Sequence, residues 1–301
     1  MQTNYKIFYK KEDIERRISL LHRQQPFSIG IIAVGGTTAL RKAIDSFSFY
    51  AHNYSLFVLM FDEYGDYEAL RSQYDYVTFI VFNEPANFAT MANIFANECH
   101  STYFFLCRSD LALVDFELDK AIELFQQDEK IAIVTPHLFN RLKEPIPVIQ
   151  APHLRETLID PISFFPPNQD EFSLYPFLGL GLYERALFQR LRGFDEQIEA
   201  EYWQQLDFGI RCWLYGYPII NTPLLSCYFH SRQFVIENRT EQKGIKRVHT
   251  KALGVRVIKG KNYPRRVATY GDSKVLDEVK KRISLYKIDF MELIERWQPT
   301  E

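Results

Sequence analysis

The sequence lacks most of the features that sort a chain at sight. No run is long and apolar enough to span a bilayer, which excludes a membrane-spanning helix. The polar stretch from Met1 to Lys11 has no apolar segment of the secretory kind, which points to the cytoplasm. Cysteines number 4, and Cys99, Cys107, Cys212 and Cys227 show no paired CxxC spacing. Cys107 and Cys227 sit in apolar, strand-like runs and read as buried thiols in a reducing compartment. A net charge of -2 supplies no global attraction to nucleic acid. No glycine-rich triphosphate loop with a following lysine stands near the first strand, which disfavours a nucleotidyltransferase. Internal repeats and low-complexity tracts are also missing.

What is present is apolar and periodic. The 301 residues are 47% hydrophobic and 15% aromatic, enough for one large α/β domain with appendages or two small ones. Ile14, Ile18 and Leu21 lie at helical spacing within a charged segment over 10–25, which predicts an outer amphipathic helix. Apolar runs over 27–34, 55–61, 77–82, 103–107 and 131–134 have strand length. Helical patterns alternate with them, one after Gly35-Gly36 with Thr37 or Thr38 as its cap, another over 89–99. Such alternation predicts a mostly parallel sheet covered on both faces. Seven prolines between Glu144 and Pro176 break the pattern and predict a long surface excursion. Order resumes with helices over 185–192 and from Tyr202 to before Gly216, then a closing strand over 218–228. Beyond His230 the character changes. No acidic residue lies between Glu241 and Asp272, while lysines and arginines gather over 243–266, and the segment over 274–297 is amphipathic.

The most telling residues are Arg108-Ser109-Asp110, at the end of the fourth strand, where an open α/β sheet places its polar chemistry. Gly35-Gly36 ends the first strand, and Asp62-Glu63-Tyr64-Gly65-Asp66 ends the second. Asn83, Asn87, Ala89, Ala92 and Asn93 open a helix. Gly193-Phe194-Asp195-Glu196 is followed by Trp203, Asp207 and Arg211. In order and spacing these stretches resemble family 2 glycosyltransferases of the GT-A fold over roughly 27–230. The last stretch resembles that family's Gly-Phe-Asp-Glu and Glu-Asp-x-Asp-x-x-x-Arg signature and is the most specific of the set.

The resemblance implies a GT-A, Rossmann-like domain over 27–230, with extensions over 1–26 and 231–301 that are helical. It implies transfer of a sugar from a nucleotide-diphosphate donor to a glycan, lipid-linked or protein acceptor, with inversion. Gly35, Gly36, Asp62, Asn93, Arg108 and Asp110 would bind donor, with Asp62 at the base. Mn2+ or Mg2+ would be the cofactor, held by Asp110 and by His230 just past the closing strand.

Two departures bear on mechanism. Arg108 stands where the family's Asp-x-Asp places its first acid, removing a metal ligand and adding a permanent cation. A guanidinium can bridge diphosphate oxygens and offset leaving-group charge, so the donor site would be metal-independent. Gln205 stands where the family places a carboxylate, and an amide takes no proton near neutral pH. Asp207 is then the expected base, with Glu201 as the fallback. A catalytically inactive, glycosyltransferase-like binding module is the alternative. The basic stretch over 243–266 reads as a solvated face, a flap over the diphosphate, or a peripheral contact with the inner membrane. Nucleic acid is not an expected partner.

Overall fold

The computed structural model describes residues 4–11, 26–61, 67–126 and 131–297. In chain order the elements are β1 (Tyr5–Phe8), β2 (Phe27–Ile32), α1 (Thr37–Phe47), β3 (Ser55–Phe61), α2 (Tyr67–Gln73) and β4 (Val77–Phe82). They continue with α3 (Phe88–Glu98), β5 (Tyr103–Arg108), β6 (Leu111–Phe116), α4 (Leu118–Glu123) and β7 (Ile133–Phe139). The proline-rich segment holds the short strands β8 (Ile149–Ala151), β9 (Leu154–Arg155), β10 (Leu158–Ile159), β11 (Ile162–Phe164) and β12 (Glu171–Phe172). Then come β13 (Gly181–Glu184), α5 (Arg185–Arg190), α6 (Glu201–Leu214) and β14 (Ile219–Phe229). The C-terminal part is α7 (Ile245–Leu253), β15 (Val255–Ile258), β16 (Lys261–Pro264), α8 (Ser273–Lys280) and α9 (Phe290–Arg296).

A 10-stranded sheet runs in the order β1-β4-β3-β2-β5-β13-β7-β14-β12, with β6 paired to β14. Its α/β half is parallel: Ile31 faces Val58 on one side and Cys107 on the other. All six residues of β2 and of β4 are buried, as expected for strands covered on both faces. Alternate residues feed two cores. Ile29 and Ile31 pack with Leu40, Ala43, Ile44 and Phe47 of α1, while Leu59, Ile80 and Leu106 pack with α3 and α6. β13 enters antiparallel between β5 and β7 and so ends the parallel run.

Three expectations change. The segment over 144–176 is a surface excursion only in part: Ile146, Val148, Ile149, Gln150, Leu174 and Tyr175 are buried, while Ile162, Phe164, Phe165 and Phe172 are exposed. Its prolines set bends between short paired strands instead of loosening it. The cap of α1 is Gly36, at φ 88, and neither threonine. The amphipathic tail over 274–297 is two helices, because Asp289 caps α9 through the Met291 and Glu292 amides. Lys287, just before it, donates its N–H to the Leu214 carbonyl at 2.7 Å. The expected N-terminal helix lies outside the described residues beyond Lys11. Ahead of it, β1 joins the sheet edge against β4, which the sequence pattern did not announce.

The basic stretch divides in two. Lys243, Arg247 and Lys251 are paired with acids, while Arg256, Lys259, Lys261, Arg265 and Arg266 are exposed on and beside the β15–β16 hairpin. Among the described residues no helix is long and apolar enough to cross a membrane.

Candidate active site

β2 and β5 end side by side, with Ile32 opposite Arg108. Ser109 fastens the turn that follows. Its amide donates to the Ile32 carbonyl at 2.9 Å, and its hydroxyl donates to the Val34 carbonyl at 2.6 Å while accepting the Val34 amide at 2.8 Å. Gly35 and Gly36 come next, at φ 78 and 88, a conformation that favours glycine, and a side chain at either would project into open space. The strand ends are therefore rigid where they carry Arg108 and Asp110, and open beside the two glycines.

Arg108 is buried and held from two sides. Its Nε donates to Asp110 Oδ1 at 3.2 Å, and Nη1 donates to Glu201 Oε1 at 2.8 Å. Glu201 opens α6, and its side chain is 41% exposed, so the pair sits at the mouth of the site. Gln205, one turn along on the same face of α6, donates Nε2 to the same Glu201 oxygen at 3.1 Å. The carboxylate absent at position 205 is thus present one turn earlier. Arg232 completes the cluster, with Nη2 lying 2.7 Å from Asp110 Oδ2, close enough for an ion pair although poorly angled for a hydrogen bond.

Asp207 lies elsewhere, and its expected role as base is corrected. Positions 205 and 207 are some 200° apart around a helix, so Asp207 points away from Arg108. It is 1% exposed. Arg211 donates Nε to its Oδ2 at 2.7 Å, and Lys251 Nζ sits 2.9 Å from Oδ1. Arg211 also donates to the carbonyls of Leu191 and Gly193. Lys251 and Arg247 both reach Asp195, and Arg247 continues to Glu278. Burial alone would raise the Asp195 carboxyl, but Lys251 and Arg247 hold it well below the usual range. Gln204 is buried too, bonded to the Ala89 amide and the Ile198 carbonyl. The ion network itself lines a separate cavity of about 630 Å³, with Asp195, Arg211, Arg247, Lys251 and Glu278 in its wall, and Arg108 and Glu201 are not part of it.

Asn93 belongs with this second group. Its amide donates to the Phe194 carbonyl and to Glu196, and its oxygen accepts the Phe194 amide, which fixes α3 to the 193–196 turn at the wall of the same cavity, away from Arg108 and Asp110. Asp62 lies outside the described residues. His230 donates its backbone N–H to the Asp110 carbonyl at 3.0 Å, but its ring sits in a hollow with Lys42, Asp45, Ser46, Ala112 and Tyr228. Burial, reinforced by Lys42, pushes its pKa below the ordinary imidazole value.

A divalent ion fits these residues poorly. Both Asp110 oxygens already face guanidinium groups, and His230 Nε2, though buried without a partner, has a lysine for a neighbour. Among the described residues no three His, Cys, Asp or Glu side chains gather as a metal site.

Next to Glu201 on α6, Tyr202 carries the Arg239 guanidinium 5.3 Å from its ring centre. Arg239 also bonds to Gln150, Ser163 and Tyr175, and Tyr175 donates its hydroxyl to Glu237 at 2.6 Å. Burial pushes the Glu237 carboxyl up to about 6, against Tyr175 and Arg239, which favour its charge. This network and Arg232 were not singled out from the sequence. Nothing local marks them, and only the folding of 144–176 and 231–240 onto α6 brings them close.

Sheet order, covering helices and a polar cluster at the strand ends define the GT-A glycosyltransferase fold. The chain is similar in structure to GalNAc-T7 bound to UDP, GalNAc and Mn2+, with a TM-score of 0.64 at 13% identity, over 91% of this chain and 57% of that one. TarS of S. aureus, residues 1-349, is similar over 74% of this chain and 64% of its own. The TM-score is 0.52 for its UDP-GlcNAc complex and 0.50 for its UDP complex, both at 10% identity. The chain therefore spans less than two thirds of either protein's structure. No protein-family model and no curated protein matches the sequence.

Proposed function

We propose that the chain transfers a sugar from a nucleoside-diphosphate donor to an acceptor hydroxyl, at the cluster of Arg108, Asp110 and Glu201. One observation carries this reading: the 2.8 Å pair of Arg108 and Glu201 at the carboxyl ends of the parallel strands. It supplies a fixed cation for a departing diphosphate and a half-exposed carboxylate beside it, on a fold shared with UDP-binding transferases. Gly35 and Gly36 give the donor close approach to the backbone, and Asp62 is assigned to the base. Family 2 is the assignment that the sequence motifs favour.

Glu201 replaces Asp207 as the proton acceptor. In the absence of donor it is tied to Arg108; an arriving diphosphate gives Arg108 another partner and leaves Glu201 to the acceptor. A single carboxylate in this position suits one-step displacement with inversion, aided mainly by alignment of acceptor and donor. The acceptor side is assigned to the Gln150, Tyr175 and Arg239 network, which adjoins Glu201. Contact with an anionic membrane surface falls to Arg256, Lys259 and Lys261 on the hairpin.

Gln205 gives specific support to a second reading, a donor-binding module without turnover. A screen of nucleotide sugars for hydrolysis and transfer, with the anomeric configuration of product read by NMR, decides between them. Turnover with inverted product is expected. Donor binding with no turnover on any acceptor class would establish the module, and retained configuration would remove the one-step mechanism.

A further inference from the structure

Arg232 changes what Asp110 is for. The cluster holds two cations, Arg108 and Arg232, and two carboxylates, Asp110 and Glu201. Asp110 is 5% exposed and wedged between both guanidinium groups. Glu201 is the member able to swing away, being half-exposed at the end of a helix. When it does, two cations remain against one carboxylate, and the site carries a net positive charge.

The unused donors are suited to phosphate. Arg108 spends Nε on Asp110 and Nη1 on Glu201, and its Nη2 has no partner among the described residues. Arg232 directs Nη2 toward Asp110, and its Nε and Nη1 have no acid partner among the described residues. Its position is fixed from behind: its guanidinium lies 5.5 Å from the Phe229 ring centre, and its carbonyl accepts the Arg141 amide at 2.9 Å. Guanidinium groups stay charged at any accessible pH, and their planar forks match phosphate oxygens.

We propose that Arg108 and Arg232, oriented by Asp110 between them, form the diphosphate receptor and stand in place of a divalent ion. Asp110 is then a positioning anion for two arginines, not a metal ligand. The proposal rests on the reading of a nucleoside-diphosphate donor, and the experiment separates the two. Binding of UDP to the full chain is measured by calorimetry in excess EDTA and in excess Mn2+, with ADP, GDP and CDP in parallel and uridine as the phosphate-free control. The nucleotide that binds should do so equally in both conditions. Arg232→Gln should weaken it by about tenfold or more, the scale of a lost charge-assisted contact, and leave uridine unaffected. Arg232→Lys should recover part of the loss, because it keeps the charge and loses the fork. Arg232 is 36% exposed in its side chain, so neither change opens the core. Binding that requires Mn2+, or an Arg232→Gln variant with wild-type affinity, overturns the proposal while the donor reading stands. If no nucleoside diphosphate binds in either condition, the donor reading fails and the proposal falls with it.

Discussion

Glu201 and Asp207 share a helix and differ in almost everything that decides a residue's use. Glu201 is half-exposed and meets one guanidinium at the mouth of the site. Asp207 is sealed between Arg211 and Lys251. The conservative amide change should therefore separate them cleanly. Glu201→Gln is expected to keep the fold and lower turnover about a hundredfold or more, the scale of a general base, in a steady-state assay with the donor found by screening. Asp207→Asn should act on stability instead. It leaves two buried cations short of a partner, and the loss of one member of such a pair costs about 3–5 kcal/mol, read as a lower midpoint in urea unfolding. An Asp207→Asn protein with wild-type stability and no turnover would return the base to position 207.

At the scale of elements, α6 is the part that brings site and core together. Gly209 lies in its middle, packed against the proline-rich segment so closely that a Cβ would come within 2.4 Å of the Leu174 carbonyl and of Tyr175 Cβ. Alanine normally gains about 1 kcal/mol over glycine inside a helix. Here the clash is with backbone that cannot move aside, so Gly209→Ala should cost about 2 kcal/mol net in chemical denaturation. Activity should fall as well, because the displaced helix carries Glu201. The helix itself was legible in the sequence, through the spacing of Leu206, Ile210 and Trp213, and so were the parallel strands, each a short apolar run between polar turns. Arg108 and Asp110 were legible for the same reason: they end such a run. The use of α6's two sides was not. Asp207 was expected to serve as the base, but α7 covers it with Lys251, a contact made by a segment far along the chain. Arg232 was hidden for a like reason, since it reaches Asp110 only through the antiparallel pairing of β14 with β6.

At the scale of the whole molecule, buried Glu237 and half-buried Asp195 respond to pH in opposite directions. Glu237 has its pKa raised from 4.5 to about 6 by burial, so the folded state binds its proton more tightly than the unfolded chain. The stability it contributes is full below about 4.5 and is lost as pH rises through about 6, amounting to about 2 kcal/mol. Asp195 runs the other way. Held below its ordinary value of 3.8, it contributes stability above that pH and loses it as acid titrates the pair with Lys251. Melting curves of wild type against Glu237→Gln should diverge between pH 4.5 and 6, with wild type losing ground as pH rises. Parallel curves across that window would mean Glu237 does not titrate there.

The ion network behind α6 also constrains how such a chain can change over generations. Asp195 and Asp207 belong to the segment before β14, while Arg247, Lys251 and Glu278 belong to the segment after it. A neutral residue at Asp195, Asp207, Arg247 or Lys251 removes at least one ion pair that joins the two segments, so a single substitution there weakens the junction. Descendants should keep the set together or exchange it together, and a relative lacking the C-terminal helices should also lack the acids at 195 and 207. Ancestry in this protein is then written less in the Arg108 cluster than in paired changes at the junction behind α6.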